Sequence, residues 1–302
     1  MLLLSFPDYR PQSQRLAAEL DVPFELVELH HFPDGESLIR LPTVLPEHVI
    51  LCRSLNQPND KLIELLLFAK TAREFGAKRI TLVAPYLCYM RQDIANRPGE
   101  AVSQRIVGQM LAELFDDVIT VDPHLHRISR LDQAIPITNA VSLSAGAVIG
   151  DYLKTRLDKA ILLGPDSESE QWVSEIAKDI GFSYAVANKI RRGDRQVEIT
   201  LPALDYKGQA VVIIDDMAST GRTMARTVGL LCDAGAGGVY AAVTHPLFCG
   251  DAEALIRAEG VTDIWSTDSI DHATSCIMLA PLLSNAIKEI LRASNDVLPI
   301  VW

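Results

Sequence analysis

Short runs of β-branched and apolar residues alternate along this chain with longer stretches whose apolar positions recur at helical spacing. The runs His48–Cys52, Arg79–Ala84, Val118–Val121, Ala160–Leu163, Ala210–Ile214 and Val239–Thr244 are apolar enough to be strands buried on both faces. Between them, Lys61–Phe75, Ser103–Phe115 and Met224–Ala234 space their apolar residues as amphipathic helices do. That alternation predicts βαβ units and mainly parallel sheets. The leading run, Met1–Phe6, has no basic segment before it and Asp8 directly after it, so it reads as a first buried strand rather than a secretion signal. A small-residue stretch, Ser142–Gly150, precedes a second round of strands and sets the predicted boundary between domains 1–145 and 146–302. The two halves share a rhythm without shared identity, so a duplicated fold stays open. In sheets of this kind ligands bind beyond the carboxyl ends of the strands, which is where chemistry is to be sought.

A length of 302 residues suffices for two cores. Residues are 48% hydrophobic and 22% charged, with no apolar run long enough to span a bilayer, so no membrane partner is expected. The formal charge of −11 argues against general nucleic-acid binding and requires any anionic substrate to be met locally by basic residues or a metal. Five widely spaced cysteines, with no C-x-x-C pair, predict reduced thiols and a cytoplasmic location.

The strongest local signal is Val211-Val212-Ile213-Ile214-Asp215-Asp216-Met217-Ala218-Ser219-Thr220-Gly221-Arg222-Thr223. A buried strand ends in two carboxylates, and a small polar turn leads into a helix. Such a turn offers backbone N–H groups, hydroxyls and the positive end of a helix to a phosphate, while Asp215 and Asp216 can accept hydrogen bonds from a sugar diol. Neither a Walker sequence nor a G-x-G-x-x-G fingerprint is present, so a P-loop or dinucleotide fold is not supported.

This segment resembles the phosphoribosyl diphosphate motif of type I phosphoribosyltransferases and of the ribose-phosphate pyrophosphokinases. Four further segments resemble the pyrophosphokinases specifically. The resemblance implies two type I phosphoribosyltransferase-like α/β domains, each a mainly parallel sheet flanked by helices, with the C-terminal tail free to pack on the N-terminal domain. It places ribose 5-phosphate on Asp215, Asp216, Ser219, Thr220, Gly221, Arg222 and Thr223. Phe32-Pro33-Asp34-Gly35-Glu36 matches a loop that reaches a neighbouring subunit's ATP, through Phe32, Asp34 and Glu36. A plain Pro-Asp-Gly turn over a buried Phe is the competing reading of those five residues. Within Pro85–Asp93, Arg91 and Gln92 match ATP contacts. Within Thr120–His126, His124 matches a magnesium ligand assisted by Asp166, although His124 and His126 at this spacing also suit zinc. Lys189-Ile190-Arg191 matches a Lys-x-Arg pair that closes over the transferring phosphates, and the polar stretch Gly193–Glu198 after it reads as a mobile loop.

The implied activity is ribose-phosphate diphosphokinase: ATP and ribose 5-phosphate give AMP and 5-phosphoribosyl 1-diphosphate, with Mg2+ as cofactor and self-association as a dimer or hexamer. Some positions depart from the family pattern. Ser219 and Arg222 replace an acidic residue and a glycine, Glu168 and Ser169 replace a glycine pair after Asp166, and Ile94, Ala95 and Asn96 replace polar or charged residues. These departures keep open a catalytically weak or regulatory homologue; a type I phosphoribosyltransferase is the other alternative, and the N-terminal ATP segments and Lys189-Ile190-Arg191 discriminate against it. His245 reads as a structural histidine.

Overall fold

The computed structural model describes residues 1–192 and 196–295; the side chains of 189–198 and of 294–295 lie outside that description. The chain divides into two compact units, Met1–Leu143 joined by the chain from Ala280 onward, and Ser144–Leu279.

The first unit opens with β1 (Leu2–Ser5), α1 (Arg10–Leu20) and β2 (Phe24–Leu26). A two-stranded ribbon, β3 (Glu28–His31) and β4 (Ser37–Arg40), follows, then β5 (His48–Cys52), α2 (Pro58–Glu74), β6 (Arg79–Val83), α3 (Ser103–Leu114), β7 (Asp117–Val121) and β8 (Asn139–Leu143). Strands β5 to β7 are almost wholly buried, as their β-branched runs predict for strands covered on both faces. The sheet order is β2-β1-β5-β6-β7-β8, and every pair is parallel.

The second unit repeats this order. It comprises α4 (Gly146–Arg156), β9 (Ile161–Gly164), α5 (Glu170–Ile180), β10 (Ser183–Val186), a ribbon of β11 (Asn188–Arg192) and β12 (Gln196–Thr200), β13 (Ala210–Ala218), α6 (Arg222–Asp233), β14 (Gly238–Pro246), α7 (Ala252–Ala258), β15 (Asp263–Thr267) and β16 (Ser275–Ile277). Its sheet runs β10-β9-β13-β14-β15-β16, again all parallel. The order reverses between β1 and β5 in one unit and between β9 and β13 in the other, so each sheet has one topological switch point.

Helix α8 (Ala280–Asn295) belongs to the first unit. It packs on α1, where Ser284 Oγ and Lys288 Nζ donate to the Glu19 carbonyl at 3.2 and 3.0 Å. At the amino ends of β6 to β8, the buried Asp117 accepts from Arg79 Nε, Thr81 Oγ1 and Asn139 Nδ2 at 2.8, 2.6 and 2.7 Å. Burial alone would raise its pKa, but these donors outweigh burial and hold it below the ordinary carboxylate value.

Two elements differ from the sequence expectation. Strands β13 and β14 each run nine residues, so Asp215 and Asp216 lie inside β13 rather than after it. The cause is pairing that persists to Met217↔His245 and Ala218↔Pro246, beyond the shorter neighbours. Residues 196–198, read as loop, belong to β12, paired antiparallel with β11. Gly193–Arg195 lie outside the described residues. Among the described residues no helix is long and apolar enough to cross a membrane.

Candidate active site

At the switch point of the second unit, β9 and β13 deliver Asp166, Asp215 and Asp216. Asp166 opens a short helical turn, and its Oδ1 accepts the Glu168 amide at 3.2 Å. Asp216 is buried and its amide donates to Asp215 Oδ1 at 3.0 Å. Burial, followed by repulsion from Asp216 and Asp166, pushes the Asp215 pKa well above the ordinary carboxylate value. Three acids gathered at one crevice suit hydroxyl donors or a cation.

The chain leaves β13 through Ser219 and Thr220 and enters α6 at Gly221, whose φ is +68°. A Cβ there would also stand 2.8 Å from the Ala252 carbonyl at the start of α7, so glycine is required twice. The turn is braced from outside: Phe248 N donates to Ala218 O and Cys249 N to Ser219 O, each at 2.8 Å. Among the described residues no side chain caps α6, so the amides of its first turn remain available to an anion, with the positive end of the helix behind them. Thr220 and Arg222 are exposed, whereas Ser219 and Thr223 are half-buried. Arg222, the first residue of α6, thus stands in solvent rather than filling the turn.

The substitutions after Asp166 separate in the same way. Ser169 is buried, donates to the Asp166 carbonyl at 2.6 Å and packs against Gly164, so its bulk goes inward. Glu168 remains exposed. Lys189 and Arg191 occupy alternate positions of β11, opposite Ile199 and Val197 of β12. Their side chains lie outside what the structure describes. His245 is 1% exposed, with Nδ1 2.9 Å from Ser269 Oγ.

In the first unit, the Phe32–Glu36 segment is the tip of the β3–β4 ribbon. Phe32 N donates to Glu36 O at 2.8 Å, Gly35 N to Phe32 O at 2.9 Å and Glu36 N to Asp34 Oδ1 at 3.2 Å. Phe32 is 40% exposed and its ring stands at right angles to that of His30, at 4.9 Å between centroids. A plain turn over a buried phenylalanine is therefore not what forms; part of the Phe32 side chain is open to solvent. Arg91 is exposed and Gln92 half-buried, with Gln92 Oε1 accepting from Ser103 Oγ at 2.6 Å. His124 is half-buried, with its ring edge-on to His126 at 4.2 Å. It belongs to the first unit and Asp166 to the second. Asn96 is exposed and its backbone amide donates to Glu100 Oε2 at 2.7 Å.

One constellation escaped sequence reasoning. At the switch point of the first unit, Asp8 after β1 and Arg53 after β5 meet Lys61 and Glu64 of α2. Arg53 Nη1 lies 2.6 Å from Glu64 Oε2, Arg53 Nε 3.1 Å from Asp8 Oδ1, and Lys61 Nζ 2.8 Å from Asp8 Oδ2. The guanidinium also covers the Phe6 ring at 3.9 Å. Nothing in local spacing announces pairs formed across such sequence distances.

Comparison with known proteins covers both units. Residues 1–114 match the family model described as the N-terminal domain of ribose phosphate pyrophosphokinase, and residues 142–260 match a phosphoribosyl transferase domain. The chain is 35% identical over 294 residues to a ribose-phosphate pyrophosphokinase of Methanopyrus kandleri, covering 96% of this chain and 99% of the relative. It is 32% identical to that of Methanothermobacter thermautotrophicus, over 92% and 98% of the two chains. The crystal structure of phosphoribosylpyrophosphate synthetase from Mycobacterium smegmatis superposes with a TM-score of 0.80 at 26% identity, covering 97% of this chain and 99% of that one.

Proposed function

The chain belongs to the ribose-phosphate pyrophosphokinase family and is a ribose-phosphate diphosphokinase, and we propose that its two units divide the substrates of that reaction between them. ATP and ribose 5-phosphate give AMP and 5-phosphoribosyl 1-diphosphate, a precursor for nucleotide synthesis. One observation carries the assignment of ribose 5-phosphate to the second unit. A carboxylate pair and a glycine-dependent turn into α6 lie on one continuous segment at a switch point, so one segment can hold both the diol and the 5-phosphate.

In this reading Asp215 and Asp216 accept from the ribose hydroxyls, and the amides and hydroxyls of Ser219–Thr223 hold the phosphate, with Arg222 available from outside. Phe32 stacks on adenine while Glu36 and the remaining oxygen of Asp34 receive its amino group. Arg91 and Gln92 complete the ATP contacts. The anomeric hydroxyl attacks the β-phosphorus in line and AMP leaves, with no covalent intermediate. Lys189 and Arg191 compensate the charge that spreads over the transferring oxygens.

The donor set fits a divalent cation, because Asp166 brings carboxylate oxygens to the same switch point as Asp215 and Asp216, and a hard cation takes oxygen ligands. Asp166 and His124 are the residues that would hold Mg2+. When bound, the ion supplies neutralising charge to the triphosphate. Self-association as a dimer or hexamer is supported by α2, whose outer face exposes Ile63, Leu66 and Leu67. A cytoplasmic location accords with five free thiols. The test is product analysis with Mg2+, ATP and ribose 5-phosphate: AMP and phosphoribosyl diphosphate form together. ADP with ribose 1,5-bisphosphate instead would overturn the reaction class.

A further inference from the structure

The exposed tip of a two-stranded ribbon is held only as well as its base, since an isolated hairpin is marginal in water. The last paired residues of β3 and β4, on either side of the Phe32–Glu36 turn, are His31 and Ser37. Both reach one atom. His31 Nε2 donates to Glu64 Oε1 at 2.8 Å, and Ser37 Oγ donates to the same oxygen at 2.9 Å.

Glu64 is 1% exposed, and its other oxygen meets Arg53, itself 3% exposed. Burying a carboxylate costs several kcal/mol unless every lone pair is answered. An apolar residue at this position of α2 would avoid that cost, so stability alone does not explain the choice. Burial would raise the Glu64 pKa, but the hydrogen bonds from His31 and Ser37 and the Arg53 guanidinium beside it hold it below the ordinary value. The group is therefore an anion at neutral pH, able to accept both donors at once. Arg53 is fixed in turn by Asp8, and Asp8 by Lys61, which donates to the Ser54 carbonyl at 2.8 Å. The chain of contacts runs from the rim of the sheet, through α2, to both ends of the turn.

We propose that Glu64 is a positioning residue for nucleotide binding: its buried carboxylate clamps both ends of the Phe32–Glu36 turn to α2 and so presents the Phe32 face in one orientation. This rests on the reading of Phe32, Asp34 and Glu36 as ATP contacts. Glu64 touches no substrate in this scheme. Its effect passes through His31 and Ser37.

The test uses the full-length enzyme and compares Ser37→Ala, Glu64→Gln and Glu64→Asp with Phe32→Ala as the reference for the turn itself. Initial rates of AMP release are measured against ATP and against ribose 5-phosphate separately. Amide hydrogen exchange of residues 32–36 is measured beside that of α2. Losing a hydrogen bond to a buried charge is expected to raise KM for ATP about tenfold in Ser37→Ala and in Glu64→Gln, with KM for ribose 5-phosphate unchanged. Exchange of the turn is expected to quicken while exchange of α2 does not, and Glu64→Asp is expected to recover part of the effect. If Glu64→Gln fails to fold, Ser37→Ala decides alone, because it leaves the Glu64–Arg53 pair in place. Raised KM for ATP in Phe32→Ala, together with an unchanged value in Ser37→Ala and Glu64→Gln, would overturn the clamp while sparing the ATP reading of the turn. An unchanged value in Phe32→Ala would overturn that reading, and the proposal with it.

Discussion

The two units build the same six-stranded order and put opposite chemistry at the same place in it. At the switch point between β1 and β5, acids and bases alternate through Asp8, Arg53, Lys61 and Glu64 until each charge has a partner. At the switch point between β9 and β13, Asp166, Asp215 and Asp216 are gathered with like charges facing one another. One crevice is closed by ion pairs of opposite sign, whereas the other gathers acids of one sign. A fold supplies the crevice, and the residues placed there decide whether it serves as a bolt or a site. Each unit also inserts an antiparallel ribbon after its second strand, β3–β4 or β11–β12. The ribbon of the closed crevice is clamped by Glu64, and the ribbon of the open one carries Lys189 and Arg191.

The largest expected effect tests the closed side. Arg53→Met keeps the apolar stem but leaves the buried Glu64 carboxylate without its guanidinium partner, which should cost about 3–5 kcal/mol of stability. Denaturant unfolding measures it. A cost under about 1 kcal/mol would mean that the network is open to water and that the two crevices are alike.

Next in size is the ribbon of the open side. Lys189→Ala and Arg191→Ala should each lower kcat and kcat/KM together by roughly a hundredfold, about 3 kcal/mol, with little change in either KM. Saturating steady-state rates decide this. Unchanged kcat in both would return the charge compensation to the metal.

A smaller effect has the opposite sign from the first. Asp215→Asn removes one of three mutually repelling acids, so it should stabilise the protein by on the order of 1 kcal/mol while weakening ribose 5-phosphate more than ATP. Thermal unfolding and the two KM values are the readouts. Destabilisation, or equal loss of both substrates, would break the contrast between the crevices.

How much of this contrast was legible from sequence follows from its physical range. The strands His48–Cys52 and Ala210–Ile214 and the turn around Gly221 announce themselves locally, because β-branched runs, a carboxylate pair and a glycine before a helix are all short-range signals. The ribbon β11–β12 did not, since Gln196-Val197-Glu198-Ile199-Thr200 alternates as a strand should but sits beside a basic cluster that reads as loop. Arg53 and Glu64 were invisible for a different reason: each is unremarkable beside its neighbours, and only folding brings them to 2.6 Å. The inward turn of Ser169, whose side chain faces Gly164, was likewise hidden.

The smallest effect separates the units by pH, and its sign follows from the direction of each shift. Glu64 and Asp117 have folded pKa values below their unfolded ones. Their stabilisation is complete above the ordinary carboxylate pKa and is lost as pH falls through the lower folded value. Asp215 is shifted upward, so its folded form holds a proton more tightly than the unfolded chain. The penalty of its charge is present above the raised value and is relieved as pH falls through it. Acidification from about pH 7 toward about pH 4 should therefore slow hydrogen exchange in β13 and α6, after correction for intrinsic rates, and further acidification should hasten it in β1 and α2. Asp215→Asn supplies the control, because it should flatten the trend in the second unit and leave that in the first. The same sign in both units, or a trend in β13 that survives Asp215→Asn, would show that the difference between the crevices lies in their shape and not in their charge.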